Sequence, residues 1–194
     1  TIRNKSPIDD ILHVIAVVSN PCNYSSRKRL TWEFIERMEK EPNILLYIVE
    51  MVYGEKATFE FTETDHPRHL QLRTAFPLWH KENMINLGVQ YLLPPSWKAM
   101  AWIDADIEFD SPSWSTDTLR VLNNECDIVQ LFSHCADLGP NGETMNFFNS
   151  AGYQYQNMAK YNCCGSGLNY WHPGYAWACT RRAYDRMGGL FDKA

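Results

Sequence analysis

Asp104 and Asp106 stand two residues apart at the end of the apolar run in AWIDADIEFD, and Glu108 and Asp110 follow. If the run is a strand, residues two apart point to the same side of it. Two carboxylates on one side repel each other, so ionising both is costly unless a positive charge lies between them. A divalent cation supplies that charge. Carboxylate oxygens suit the hard ions Mn2+ and Mg2+, which keep several waters and share their coordination shell with phosphate oxygens. Asp104 and Asp106 therefore read as metal ligands beside a diphosphate. Aspartates spaced in this way also do no more than cap a turn, so the elements around them have to decide.

The run HVIAVV, residues 13–18, is short, continuous and rich in Val and Ile, as in a strand covered on both faces. The polar stretch SNPCNYSSRKR ends it. A helix follows with Leu30, Phe34, Ile35 and Met38 on one face. NILLYIVEMVY, closed by Gly54, is a second buried strand, and strand–helix–strand predicts a right-handed βαβ unit. ATFEFTETDHPRHLQLRTAF reads as an edge strand or loop. PLWHKENMINLGVQYLL reads as a helix that turns Trp79, Met84, Leu87 and Tyr91 partly inward. KAMAWID is the third buried strand, so Asp104 and Asp106 fall at a carboxyl end, where open α/β sheets bind their ligands. STDTLRVLNN is a short helix and DIVQLFS a fourth strand. Residues 137–172, rich in Gly, Asn and aromatics, show no period and read as an irregular functional segment. YAWACTRRAYDRMGG closes the pattern as a strand and a helix. The expected fold class is α/β, a mostly parallel central sheet flanked by helices with an irregular aromatic-rich segment attached.

A chain of 194 residues, 45% hydrophobic and 21% charged, can build a real core as one domain. Its net charge of −5 offers no basic groove for nucleic acid. No apolar run reaches the ~18 residues of a membrane helix, and the polar start TIRNKSPIDD has no signal-peptide pattern. The chain lacks an initiator Met and stops in mid-pattern at GGLFDKA, so it reads as the amino-terminal part of a longer protein. Cys22, Cys126, Cys135, Cys163, Cys164 and Cys179 form no Cys-x-x-Cys pair and read as free thiols of a reducing, cytoplasmic compartment. A zinc site on Cys163, Cys164 and His172 is an alternative whose spacing fits no common zinc pattern.

Three stretches, in chain order, resemble the nucleotide-sugar glycosyltransferases of the GT-A fold, whose Asp-x-Asp motif holds a metal on the sugar diphosphate. WIDADIEF is similar to the motif strand, which implies donor contacts at Asp104 and Ala105 and metal at Asp104 and Asp106. WHKENMINLG resembles the F-N-R-A-x-x-L-N-x-G helix of the galactosyltransferase-like families. Lys81 stands where they carry an Arg near the nucleotide, and Asn86 and Gly88 match. PGYAWACTRRAYDRMGGLF resembles their F-G-G-V-x-A-x-x-x-x-x-F-x-x-x-N-G-F segment. There Gly174 matches a donor-lining Gly, and Tyr175 departs at the second one. The wording is also similar to the amino-terminal glycosyltransferase domains of multidomain proteins of large chlorella-infecting viruses. That similarity implies a glycan acceptor on the major capsid protein and a place in the host-cell cytoplasm.

By the same resemblance the loop after the first strand meets the base and ribose of the donor. It contains Ser19, Asn20 and Arg27, whose planar guanidinium suits phosphate. Glu50 either accepts hydrogen bonds from ribose or uracil or is an ordinary charged strand end. Tyr170, Trp171, Tyr175 and Trp177 cluster beside Gly174. Flat aromatic faces pack on sugar C–H surfaces, so Trp171 and Trp177 are assigned to the acceptor or sugar, and Trp32 and Trp102 to the core. His172 is a metal or phosphate contact, or a hydrogen-bonded core histidine. An inverting transfer needs a general base. The resembling families place it in an acidic segment just after GGLFDKA, so the resemblance implies a base beyond Ala194. Asp137 and Asp192 are the catalytic candidates within the chain.

With the carboxylate pair, the resemblance implies a metal-dependent glycosyltransferase that moves a sugar from a UDP-linked donor to a glycan with Mn2+ or Mg2+. Two alternatives stay open. A haloacid-dehalogenase-like phosphatase also places Asp-x-Asp after a strand, but near the chain start and running into Gly-Thr rather than IEF. A non-catalytic carbohydrate-binding domain would keep the aromatics without needing the carboxylate pair.

Overall fold

Continuous Val- and Ile-rich strands must be covered on both sides, and the first two in the chain are. β1 (Leu12–Val18) pairs in parallel with β2 (Ile44–Tyr53), Val14 opposite Leu46. Between them α1 (Ser25–Lys40) buries Thr31, Phe34, Ile35 and Met38, and Arg37 and Lys40 sit in its last turn, where cations suit the helix dipole. The computed structural model describes residues 10–157 and 170–192, so Cys163, Cys164 and Ala194 lie outside the described residues.

β3 (His69–Thr74) adds in parallel on the far side of β2. α2 (Lys81–Leu92) then carries the chain back across, and β4 (Ala99–Ile103) pairs in parallel on the other side of β1, Ile15 opposite Trp102. α3 (Trp114–Asn124) leads to the short β5 (Ile128–Gln130). β6 (His134–Leu138), β7 (Thr144–Ser150), α4 (Ala151–Gln156) and β8 (Trp171–His172) follow, and then β9 (Ala176–Thr180) and α5 (Arg181–Met187). β9 inserts between β4 and β5, antiparallel to both, giving a six-stranded sheet in the order β3-β2-β1-β4-β9-β5. This is a mixed α/β fold with a mostly parallel central sheet flanked by helices.

Two cores cover the sheet. Phe34, Ile35 and Met38 of α1 and Trp114, Leu119 and Leu122 of α3 pack with Leu12, Val14, Ala101 and Ile103 on one face. Met84 and Val89 of α2 and Ala183 of α5 pack with Ile15, Val49, Met100 and Trp97 on the other. Among the described residues no helix is long and apolar enough to cross a membrane. Cys22, Cys126, Cys135 and Cys179 are free thiols.

Two sequence expectations are corrected here. Within residues 137–172, the described portions are ordered: β6, β7 and β8 form a second sheet in that order. The usual pattern is inverted in β6, where Cys135 and Asp137 are half-buried and Leu138 is exposed, so hydrophobic alternation could not reveal the strand. In α2 the buried face is Met84, Ile85, Gly88 and Val89; Trp79 precedes the helix and is exposed, as is Tyr91. A Cβ at Gly88 would lie 3.0 Å from Val49 Cγ2 and 3.2 Å from Ile15 Cγ2. The helix approaches the sheet through its glycine, and this closeness leaves no room for aromatic rings between them.

Candidate functional site

The strand order reverses between β1 and β4: the chain builds outward from β1 to β3, then restarts on β1's other side. The segments leaving two such strands diverge to opposite faces, which opens a crevice at their carboxyl ends. Ser19 and Asn20 leave β1 there, and Asp104 to Asp106 leave β4.

Asn20 organises the first rim. Its Nδ2 donates to the Tyr24 carbonyl at 3.1 Å, and its Oδ1 accepts from the Tyr24 N–H at 2.9 Å, fixing the turn into α1. Arg27 Nη1 donates to the Ser19 carbonyl at 2.9 Å. The Ser19 hydroxyl is buried without a hydrogen-bond partner, a polar group whose burial has a cost unless a ligand or water meets it.

The second rim is not the extended chain that the i, i+2 spacing implied. β4 ends at Ile103, and residues 104–107 turn, with the Ile107 N–H donating to the Asp104 carbonyl at 3.2 Å. The Asp104 N–H donates to the Tyr175 carbonyl at 2.9 Å, tying this turn to the entry of β9. Ala105 packs against the core on the α1 side. The Lys81 ammonium, at the first residue of α2, forms an ion pair with Asp104 Oδ1. Asp106 is open at the mouth, yet the strand ends around it still cost its charged form hydration. That desolvation, and then the Asp104 charge, raise its carboxyl above the usual aspartate range, while Arg27, its own backbone N–H and Lys81 oppose the rise. The sequence-predicted Asp104, Asp106, Arg27 and Lys81 thus share one electrostatic site.

Tyr175 enters from β9's side with φ of 71°, the left-handed region that a glycine occupies without strain. Its hydroxyl donates to Asp137 Oδ1 at 2.6 Å. Its ring stacks on His172 with centroids 4.0 Å apart. Burial, and then the bond to Asp137, push its phenol well above the ordinary tyrosine range. Burial lowers the His172 pKa, against the raising effect of Asp137 and Asp104. His172 Nδ1 accepts from the Gly174 N–H at 3.2 Å, and a Cβ at Gly174 would come within 3.1 Å of the same ring. Trp171, beside His172 in β8, is half-buried. Trp177 lies against Trp102 with nearly parallel rings, and its indole N–H donates to the Pro173 carbonyl at 2.7 Å, pinning the 173–175 turn.

Three sequence-predicted residues do not join this site. Glu50 is only 2% exposed, and its carboxylate accepts from the N–H groups of Glu60, Phe61 and Thr62 and from the Thr62 hydroxyl, at 2.7–3.0 Å. It anchors the loop after β2 in place of ribose or uracil. Asn86 Nδ2 donates to the Leu190 carbonyl and to Asp192, and its Oδ1 accepts from the Tyr184 hydroxyl and the Leu190 N–H. Asn86 and Asp192 therefore fasten the segment after α5. The base expected beyond Ala194 lies outside the described residues, which end at Asp192. A cleft of about 390 Å3 opens beside Asp192, lined by Asn86, Gln90, Tyr184 and Asp185 as well. Among the described residues its lining carries the carboxylates of Asp185 and Asp192 and no cationic side chain.

Sequence reasoning missed Gln130. Its Nε2 donates to the carbonyls of His172 and Gly174, and its Oε1 accepts from the Gly152 N–H. A polar residue interrupting the apolar run of DIVQLFS carried the same signal as Asp104.

Among the described residues, no three His, Cys, Asp or Glu side chains converge to form a cation cage. The donor set suits a hard divalent cation that takes two carboxylates and completes its shell with water and ligand oxygens. No family model matches the chain, and no curated protein matches it.

Proposed function

We propose that the chain is a GT-A-type glycosyltransferase that binds a nucleoside-diphosphate sugar, with UDP as the nucleotide, together with Mn2+ or Mg2+. The observation that carries this reading is the carboxylate pair at the switch point, flanked by Lys81 and Arg27. Asp104 and Asp106 would hold the cation. The cation would supply charge to stabilise the departing diphosphate, where negative charge grows in the transition state. Arg27 and Lys81 supply further positive charge for phosphate oxygens, and the Ser19 hydroxyl offers a donor at the same rim.

Asp137 is the better placed of the two general-base candidates. Tyr175 links it to the carboxylate pair, since its carbonyl accepts from the Asp104 N–H and its hydroxyl donates to Asp137. The Tyr175 hydroxyl orients it. In an inverting transfer Asp137 takes the proton of the acceptor hydroxyl. Trp171 remains assigned to the sugar side. The glycan acceptor on a capsid protein, in host-cell cytoplasm, rests on the sequence resemblance alone.

Calorimetry with UDP tests the reading. Wild-type protein binds UDP in Mn2+ and loses most affinity in chelator. Asp106→Asn weakens binding in Mn2+ by about 10–100-fold, roughly 1.4–2.8 kcal/mol. Equal affinities for wild type and variant would remove the cation from Asp106.

A further inference from the structure

Lys81 reaches Asp104 from the first turn of α2, and the two side chains are only 23% and 27% exposed. An ion pair so enclosed is screened less than a surface pair. Asp106 follows in the same turn, where the charges of Arg27 and Lys81 favour its ionised form. Arg27 is anchored to the Ser19 carbonyl on the opposite rim. One of the two carboxylates is therefore already paired with a cationic side chain, and a second cation stands at the rim of the same crevice.

This balance has a consequence for binding. A divalent cation arriving alone must compete with the Lys81 ammonium for Asp104. A diphosphate arriving alone meets the negative charge of Asp104 and Asp106, with the Lys81 ammonium held on Asp104. When both arrive, the inorganic cation takes the carboxylates, and the ammonium is released beside phosphate oxygens. Lysine suits such an exchange: it is a point charge on a flexible four-carbon stem, with no bidentate fork to break.

We propose that Lys81 is an exchangeable counter-ion, which holds Asp104 in the ligand-free protein and passes to the donor diphosphate when a divalent cation takes Asp104, so that cation and nucleotide bind as a mutually dependent pair. This rests on the nucleotide-sugar reading above. Linkage makes the dependence reciprocal: whatever nucleotide does for cation affinity, the cation does for nucleotide affinity.

The test measures Mn2+ binding by the loss of its free-ion paramagnetic resonance signal, and UDP binding by calorimetry, in wild type, Lys81→Met and Lys81→Arg. Without nucleotide, K81M binds Mn2+ about tenfold more tightly than wild type. The gain is far below the full Coulomb value of a contact pair because about a quarter of each side chain meets solvent. In saturating Mn2+, K81M binds UDP about tenfold more weakly. K81R keeps the charge and binds Mn2+ as weakly as wild type, which separates charge from packing. If wild type binds UDP with Mn2+ but K81M leaves nucleotide-free Mn2+ affinity unchanged or lower, the exchange is wrong and the site reading stands. Equal tightening in K81M and K81R also overturns the exchange. If wild type binds no UDP in Mn2+, the nucleotide-sugar reading falls and takes this proposal with it.

Discussion

Glu50 separates a structural role from a ligand-binding one. Its Oε1 accepts from the Glu60 N–H at 2.7 Å; its Oε2 accepts from Phe61 N–H at 3.0 Å, Thr62 N–H at 3.0 Å and Thr62 Oγ1 at 2.7 Å. Glu50→Ala removes the acceptor for three backbone donors and one hydroxyl beneath β2's loop. The hydroxyl can rotate toward another acceptor, but backbone N–H groups cannot. Each buried orphan costs about 1–3 kcal/mol, less where water enters, so we expect E50A to lose about 3–5 kcal/mol. With a urea m-value of about 2 kcal/mol/M, the unfolding midpoint falls by roughly 1.5–2.5 M. Glu50→Gln keeps one acceptor oxygen but turns a donor toward a donor, for a loss of about 1–3 kcal/mol. UDP affinity of folded E50Q should stay within about threefold of wild type, under 0.7 kcal/mol. Urea unfolding and calorimetry on the same preparations decide it. A ribose ligand would behave in the opposite way: E50Q losing UDP with an unmoved midpoint would refute the loop-anchor account.

Two further outcomes follow from charge and burial. Asp106's folded pKa is raised above the ordinary 3.8, so its charged form is penalised by folding; the penalty is full above the folded pKa and gone below the unfolded one. Asp106→Asn should therefore raise the melting temperature of ligand-free protein at pH 7, and the advantage should fade on acidification through that window; no rise at pH 7 contradicts the desolvation and repulsion assigned to Asp106. Among the described cysteines, exposed Cys22 should alkylate first with iodoacetamide at pH 8, because burial pushes the Cys135 thiol up to about 11 and Cys179 up to about 12, and the thiolate is the nucleophile. Mass spectrometry of a time course checks it, and Cys179 reacting as fast as Cys22 is the contrary result.

Tyr175 shows where reading a motif succeeds and where it stops. The sequence places a tyrosine where the resembling families carry a glycine, which leaves the backbone there open to question. The structure puts that residue at φ of 71°, so the turn has the glycine's conformation without the glycine. A left-handed tyrosine is strained, by about 1–3 kcal/mol. Its ring on His172 and its hydroxyl on Asp137 offset that strain. His172 stands just before PGYAW, but nothing local announces Asp137, which lies 38 residues upstream.

The sequence by itself determined the strands buried on both faces. The runs that became β1, β2 and β4 are apolar throughout because parallel strands have no solvent face, and such a run ends visibly when it meets a carboxylate. The position of Asp104 and Asp106 at a strand end was legible for that reason. Only the tertiary structure decided what polar residues at those ends face. Glu50 and Asp104 both interrupt or end apolar runs, yet one meets the backbone of residues 60–62 and the other an ammonium from α2. Their partners lie 10 to 23 residues away, and hydropathy carries no record of partners at that distance. The antiparallel insertion of β9 and the second sheet were hidden in the same way. Pairing is a property of two segments at once, and β6, with Asp137 inward and Leu138 outward, lacks the one-segment pattern that would announce it.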